Sequence, residues 1–210
     1  DIVGFDAPIE ESLIPDEDWK FAYRSHFKIE EIGKRLITVP AWEKSPETDR
    51  VKLIIDPGMA FGTGKHETTK ACLEFIDEYL QAGDSFLDMG SGSGILSIAA
   101  AKLGSGSVRG FDVDQDAVDS SIENAAVNGV NVEFFKYGLG GAVRRDLGKA
   151  DFVVANILGP LLIRFSSEIV ACVGGKLVLS GILNELYGDV HDKFCEYGLK
   201  EVARKTIGEW

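Results

Sequence analysis

The stretch that decides the fold is Ser85-Phe86-Leu87-Asp88-Met89-Gly90-Ser91-Gly92-Ser93-Gly94, with the apolar run Ile95–Ala101 behind it. A short apolar strand, a turn with glycine at alternate positions and then a helical segment form the strand-to-helix connection of an open α/β sheet. Glycines at 90, 92 and 94 let backbone approach a ligand where side chains would block it. The next strand, Val108–Val113, holds Asp112, 22 positions after Gly90. A carboxylate there can accept both hydroxyls of a ribose, each charge-assisted bond being worth roughly 1.5–3 kcal/mol.

Two common phosphate-binding patterns fail. In the dinucleotide fingerprint G-x-G-x-x-G, the third glycine counted from Gly90 would fall on Ile95. In the P-loop pattern, Gly64-Lys65 would need glycine at 59 and Ser or Thr at 66, where Met59 and His66 stand. Asp88, just before the loop, would also repel a pyrophosphate. It suits a loop for S-adenosyl-L-methionine (SAM), in which an acid organises the turn and meets the ligand's ammonium group directly or through water.

Outward from this loop, strands alternate with helices. Thr68–Leu80, Ser93–Gly104, Asp114–Gly129, Gly159–Val173 and Asn184–Gly198 read as helices. Ser85–Gly90, Val108–Val113, Asn131–Phe135, Asp151–Leu158, Gly175–Leu183 and Leu199–Ile207 read as strands. Strands separated by such helices predict a mostly parallel sheet with right-handed crossovers. Ahead of them, Pro15–Phe27 reads as a turn and short helix, and Gly33–Trp42 and Val51–Gly58 as a β-hairpin. Residues 1–50 are therefore expected to form a linker, helix and hairpin strand, and residues 51–210 the main domain.

The chain has 210 residues, 45% of them hydrophobic, enough for one core domain with a short appendage. No run approaches the roughly 18 apolar residues of a membrane span, so no membrane partner is expected. The net charge of −12 repels phosphate backbones and argues against direct nucleic-acid binding; it suits a basic protein partner, or simply a surface that keeps the protein in solution. Cys72, Cys172 and Cys195 are odd in number and far apart, with no metal-ligand spacing. They read as packing residues of a protein in the reducing cytoplasm.

The segments IPDEDW, DPGMAFGTGKHETT, LDMGSGSGILSIAAAKLG, GFDVDQDAV, ENAAVNGV, DFVVANIL and LVLSGIL, in this order, resemble the PrmA-type methyltransferases that modify ribosomal protein L-eleven. The likeness runs from about Pro15 to Trp210. It implies a Rossmann-like class I SAM-dependent methyltransferase, transferring methyl groups to lysine ε-amines or an N-terminal α-amine of that protein. It further implies SAM contacts at Thr69, Asp88, Gly90, Gly92, Asp112 and Asn156, with Phe61 and Thr63 bordering the cofactor. On residue chemistry alone, Thr69 is either a ligand contact or a plain helix cap. Asn156 is either a ligand contact or a strand-end turn residue.

On this resemblance the family's ferredoxin-like recognition domain is expected to lie outside this stretch, with Asp1–Leu13 as the tail of its linker. Leu158 runs straight into Gly159-Pro160, where the family has an extra small residue, and the chain stops at Trp210 about where a final antiparallel strand begins. For the chemistry, the resemblance points to the Asn156 side chain and the Ile157 carbonyl as acceptors that aim an amine lone pair. Phe61 is expected to be an apolar wall that lowers the amine's pKa, and His66 to serve either in proton transfer or as a loop hydrogen bond. Two alternatives stay open: a methyltransferase acting on another protein or a small molecule, and a non-catalytic SAM-binding domain.

Overall fold

The computed structural model describes residues 27–56, 66–141 and 146–210. The helix expected before residue 27, and Phe61 and Thr63, lie outside them. The described strands form two sheets. The larger comprises β4 (Ser85–Met89), β5 (Ser107–Asp112), β6 (Glu133–Lys136), β7 (Ala150–Asn156) and β8 (Val173–Ser180), all parallel, in the order β6-β5-β4-β7-β8. Strand order reverses between β4 and β7. A smaller sheet has the order β1 (Glu30–Ile32), β2 (Leu36–Pro40), β3 (Val51–Ile55).

The pleat divides the core in two. Phe86, Phe152 and Val154 face a cluster built with α1 (Glu67–Tyr79), α2 (Ile95–Lys102) and α3 (Gln115–Asn128), which also takes in Ile32, Leu36 and Leu53 of the small sheet. The Phe86 and Phe152 rings stack at 5.7 Å. The alternate residues Leu87, Met89, Val153 and Ala155 face a second cluster, packed by α4 (Gly159–Arg164), α5 (Ser166–Ala171) and α6 (Tyr187–Cys195). Burying each large apolar side chain contributes roughly 1.5–3 kcal/mol. Among the described residues, no helix is long and apolar enough to cross a membrane.

The parallel sheet with helices on both faces, preceded by a hairpin, follows the sequence expectation; four details differ. The hairpin is β1–β2, antiparallel with Glu30 opposite Thr38, whereas β3 runs parallel to β2. Alternation of apolar residues gives strand faces but not pairing direction, and the 41–50 connection is long enough to carry the chain back. The helix expected over Gly159–Val173 breaks at Phe165 (φ −104°, ψ 15°) into α4 and α5.

Leu199–Ile207 forms no strand. Side chains hold it instead: Lys205 pairs with Glu74 at 2.6 Å, and the Tyr187 hydroxyl donates to Glu201 at 2.9 Å. Cys72 and Cys172 are buried as expected, but Cys195 is exposed, with Sγ 3.6 Å from His191 Nε2.

Candidate functional site

Ligands of open parallel sheets bind beyond the carboxyl ends of the strands where their order reverses, here β4 and β7. β4 leads into the glycine loop, where Gly90, Gly92 and Gly94 all have left-handed backbone, at φ 82°, 52° and 78°. Side-chain-bearing residues adopt this region at a cost of about 1 kcal/mol or more each. A Cβ on Gly90 would lie 2.6 Å from Ile157 Cγ2, so that glycine lets the loop lie against the end of β7.

The β5–α3 unit holds the loop's polar groups. The N–H groups of Gly90 and Ser91 both donate to Phe111 O at 2.9 Å. Gly92 N–H donates to Asp112 Oδ2 at 2.9 Å, and Ser121 Oγ donates to Gly92 O at 2.8 Å. The other Asp112 oxygen accepts from Asp114 N–H at 3.1 Å. Asp114 is in turn the N-cap of α3 and accepts from Asp116 N–H. The acid at the end of β5 thus ties loop to helix, and its two oxygens keep lone pairs to spare.

Asp88 and Asn156 lie on one face of adjacent strands, Asp88 opposite Val154 in register. Asp88 is fully buried. Its Oδ2 accepts from Ser97 Oγ at 2.8 Å, and its Oδ1 has no hydrogen-bond partner among the described residues. Burial pushes the Asp88 carboxyl up to about 7; the Ser97 hydroxyl and N–H oppose the rise, and the Asp112 charge adds to it. The Asn156 amide donates from Nδ2 to Thr69 Oγ1 at 3.3 Å, while its Oδ1 is also buried without a partner among the described residues. Buried acceptors are almost always satisfied, so two orphans at one end of the sheet describe a place prepared for a donor.

Thr69 does not cap α1. His66 does, its Nδ1 accepting from Thr68 N–H at 3.4 Å and meeting Thr68 Oγ1 at 2.8 Å. Its ring also packs edge-on against Trp210 at 5.0 Å, which favours the loop role for His66. Thr69 is fully buried and fixes the Asn156 amide.

A family model described as "Ribosomal protein L11 methyltransferase (PrmA)" matches residues 5–210. The chain belongs to the PrmA family. A ribosomal protein L11 methyltransferase of Geobacter sulfurreducens is 46% identical over 202 residues, covering 95% of this chain and 66% of that protein. One of Exiguobacterium sp. is 37% identical over 213 residues, covering all of this chain and 67% of the relative. The chain spans about two thirds of the length of the curated relatives it matches. The crystal structure of ribosomal protein L11 methylase from Lactobacillus delbrueckii subsp. bulgaricus superposes with a TM-score of 0.80 at 30% identity, covering 88% of this chain and 95% of that one. A methyltransferase from Pyrococcus furiosus shares the fold, with a TM-score of 0.55 at 19% identity.

Of the residues singled out in this PrmA-family sequence, Thr69, Asp88, Gly90, Gly92, Asp112, Asn156 and Ile157 gather at this end of the sheet. Sequence reading missed Ser97, Ser121 and Asn124, all buried polar residues that bond Asp88 or the loop. The signal was available. Ser97 interrupts a run otherwise made of Ile, Leu and Ala, and Ser121 and Asn124 lie one turn apart on the face of α3 that also buries Ala117, Val118 and Ala125.

Proposed function

We propose that this protein is a SAM-dependent methyltransferase whose acceptor is an amine, a lysine ε-amine or an N-terminal α-amine, of ribosomal protein L11. The reading rests on membership of the PrmA family and on one observation, the paired orphan acceptors Asp88 Oδ1 and Asn156 Oδ1 beside a loop of left-handed glycines. Both atoms call for N–H or O–H donors, and an amino acid ammonium and an amine substrate supply such donors, so the residues present fit the cofactor and the acceptor.

Bound at this crevice, SAM supplies a methyl group on a positively charged sulfur. The chain's own residues bind and align. Asp112 is assigned to the ribose hydroxyls, Asp88 to the methionine ammonium, and the bare backbone of Gly90 and Gly92 to close contact with the nucleoside. Asn156, its amide oriented by Thr69, offers Oδ1 to the amine, with the Ile157 carbonyl as a second acceptor. Two such acceptors hold the amine N–H groups and leave its lone pair pointing away from them, and alignment of this kind accounts for much of an enzyme's advantage. Phe61 and Thr63 are assigned to the border of the site, Phe61 as the apolar wall that disfavours the ammonium form. A basic ribosomal partner suits the chain's charge of −12, and such a substrate goes with the cytoplasm.

The test is to incubate the chain with SAM and ribosomal protein L11 and to look by mass spectrometry for increments of one methyl group on its peptides. Unmodified L11 alongside a methylated alternative protein would overturn the substrate. Calorimetry with S-adenosylhomocysteine (SAH) tests the cofactor. Asp112→Ala should abolish measurable binding, since it removes the ribose acceptor and the hold on Gly92 together, and unchanged affinity would refute the assignment.

A further inference from the structure

Among the described residues, the outer edge of β3 is paired not with another strand but with the side chains of α3. Asn128 Oδ1 accepts from Ile54 N–H at 3.0 Å, and its Nδ2 donates to Ile54 O at 2.6 Å. One helical turn earlier, Asn124 Oδ1 accepts from Asp56 N–H at 2.9 Å, and its Nδ2 donates to Asp56 O at 3.2 Å. Each amide offers the donor and acceptor that a neighbouring strand residue would offer. The spacing permits both at once: two strand residues advance about 6.6 Å, and four helical residues about 6 Å.

The two asparagines differ in their third bond. Asn128 Nδ2 turns back to Asn124 O at 2.8 Å, within the helix. Asn124 Nδ2 donates to Ser93 O at 3.0 Å, inside the glycine loop. Asn124 is 3% exposed and Ser93 is fully buried, so no water competes for the bond between them. Ser121, one turn before Asn124, holds the neighbouring carbonyl of Gly92 at 2.8 Å. Gly94 packs so closely on α3 that a Cβ there would lie 3.0 Å from Ser121 Cβ.

We propose that Asn124 is a positioning residue: its single amide registers the glycine loop against the end of β3 at Asp56. This inference rests on the reading that Gly90–Gly94 cradles the cofactor. Asn128 is its internal control, since it clasps the same strand from the same helix without touching the loop.

The experiment compares Asn124→Ala and Asn128→Ala in the full chain. Both lose a strand-edge clasp and should lower Tm to a similar degree. Asn124→Ala should weaken SAH binding by about tenfold in calorimetry, whereas Asn128→Ala should stay within about twofold of the parent. Without ligand, backbone amides of Gly92–Gly94 should exchange hydrogen faster in Asn124→Ala only. Equal affinity losses in the two variants, or unchanged exchange at the loop, would overturn the proposal. Should Asn124→Ala fail to fold, Asn124→Asp keeps the acceptor for Asp56 N–H, removes both donations and carries the same expectations. If the parent chain binds no SAH, the functional reading fails, while exchange in the ligand-free protein still decides the role of Asn124.

Discussion

Asp77 and Asp88 are both buried aspartates beneath loops, yet their surroundings are opposite. Asp77, on α1, sits under the β1–β2 turn and is filled with donors: Lys34 N–H at 2.6 Å, Arg35 Nε at 2.7 Å and Arg35 N–H at 3.4 Å. Burial pushes its carboxyl up, but these donors and the Arg35 charge outweigh burial and hold it below the usual range. Gly33, at φ 56°, permits the approach, since a Cβ there would lie 2.4 Å from Asp77 Oδ2. Asp88 receives Ser97 on one oxygen and, among the described residues, no partner on the other, and burial pushes it up to about 7. A carboxylate whose acceptor sites are filled by its own chain fastens two parts of the fold; one left half-empty at the strand ends keeps its capacity for a ligand.

The largest expected effect breaks the fastening. Asp77→Ala leaves Lys34 N–H and Arg35 Nε without their acceptor, while the guanidinium keeps its bond to the Asp77 carbonyl, and should cost about 3 kcal/mol of stability in urea unfolding at neutral pH. The folded-state pKa of Asp77 is depressed, so its contribution is present above the ordinary carboxylate range and is lost as pH falls through the folded value. The gap between parent and variant should therefore narrow below about pH 4. SAH affinity, measured where both proteins are folded, should not change; a joint loss of stability and affinity would dissolve the contrast between the two aspartates.

Asp88→Asn should act the other way round. SAH affinity at pH 8 should fall about 10- to 100-fold, the equivalent of one charge-assisted hydrogen bond. Ligand-free stability should rise. The folded pKa of Asp88 is raised, so the parent's stability is intact below the unfolded carboxylate value and declines as pH climbs through about 7. The uncharged amide escapes that decline, and the two stability curves should meet near pH 4 and part above it. A variant no more stable than the parent at pH 8 would show that the buried charge carries no cost.

How far the sequence could carry these conclusions depended on where the determining contacts lie. The parallel sheet was legible because each strand and helix bears its own periodicity, and the loop because Asp88, three alternating glycines and Asp112 lie within 25 residues. The parallel course of β3 was not, since the outer edge of that strand is held by side chains 74 and 68 positions away, at Asn128 and Asn124. Neither was the irregular course of Leu199–Ile207, whose alternating pattern suits a strand but whose partners are side chains and, at Ile207, the backbone of Trp210. Thr69 has the composition of a cap, yet His66 takes that place, and only the fold brings Asn156 to the Thr69 hydroxyl across 87 positions.

The smallest expected effect is the most discriminating, because it separates the tuning of Asp88 from simple packing. Ser97 is fully buried, and its hydroxyl is the one side-chain donor to Asp88 among the described residues. Ser97→Ala removes a donor to the charged form, so Asp88 should titrate still higher and be ionised less often at neutral pH. SAH affinity should then fall about fivefold at pH 7, close to the 1 kcal/mol of an ordinary hydrogen bond, and recover most of the loss at higher pH. Two other titratable groups bear on Asp88. Asp112, on β5, pushes it up. Cys72, on α1, is itself driven by burial to about 12 and stays protonated throughout the range of interest. A hydroxyl that merely filled space would lower affinity equally at every pH; an upward displacement of the whole affinity profile requires that it hold the charge on Asp88.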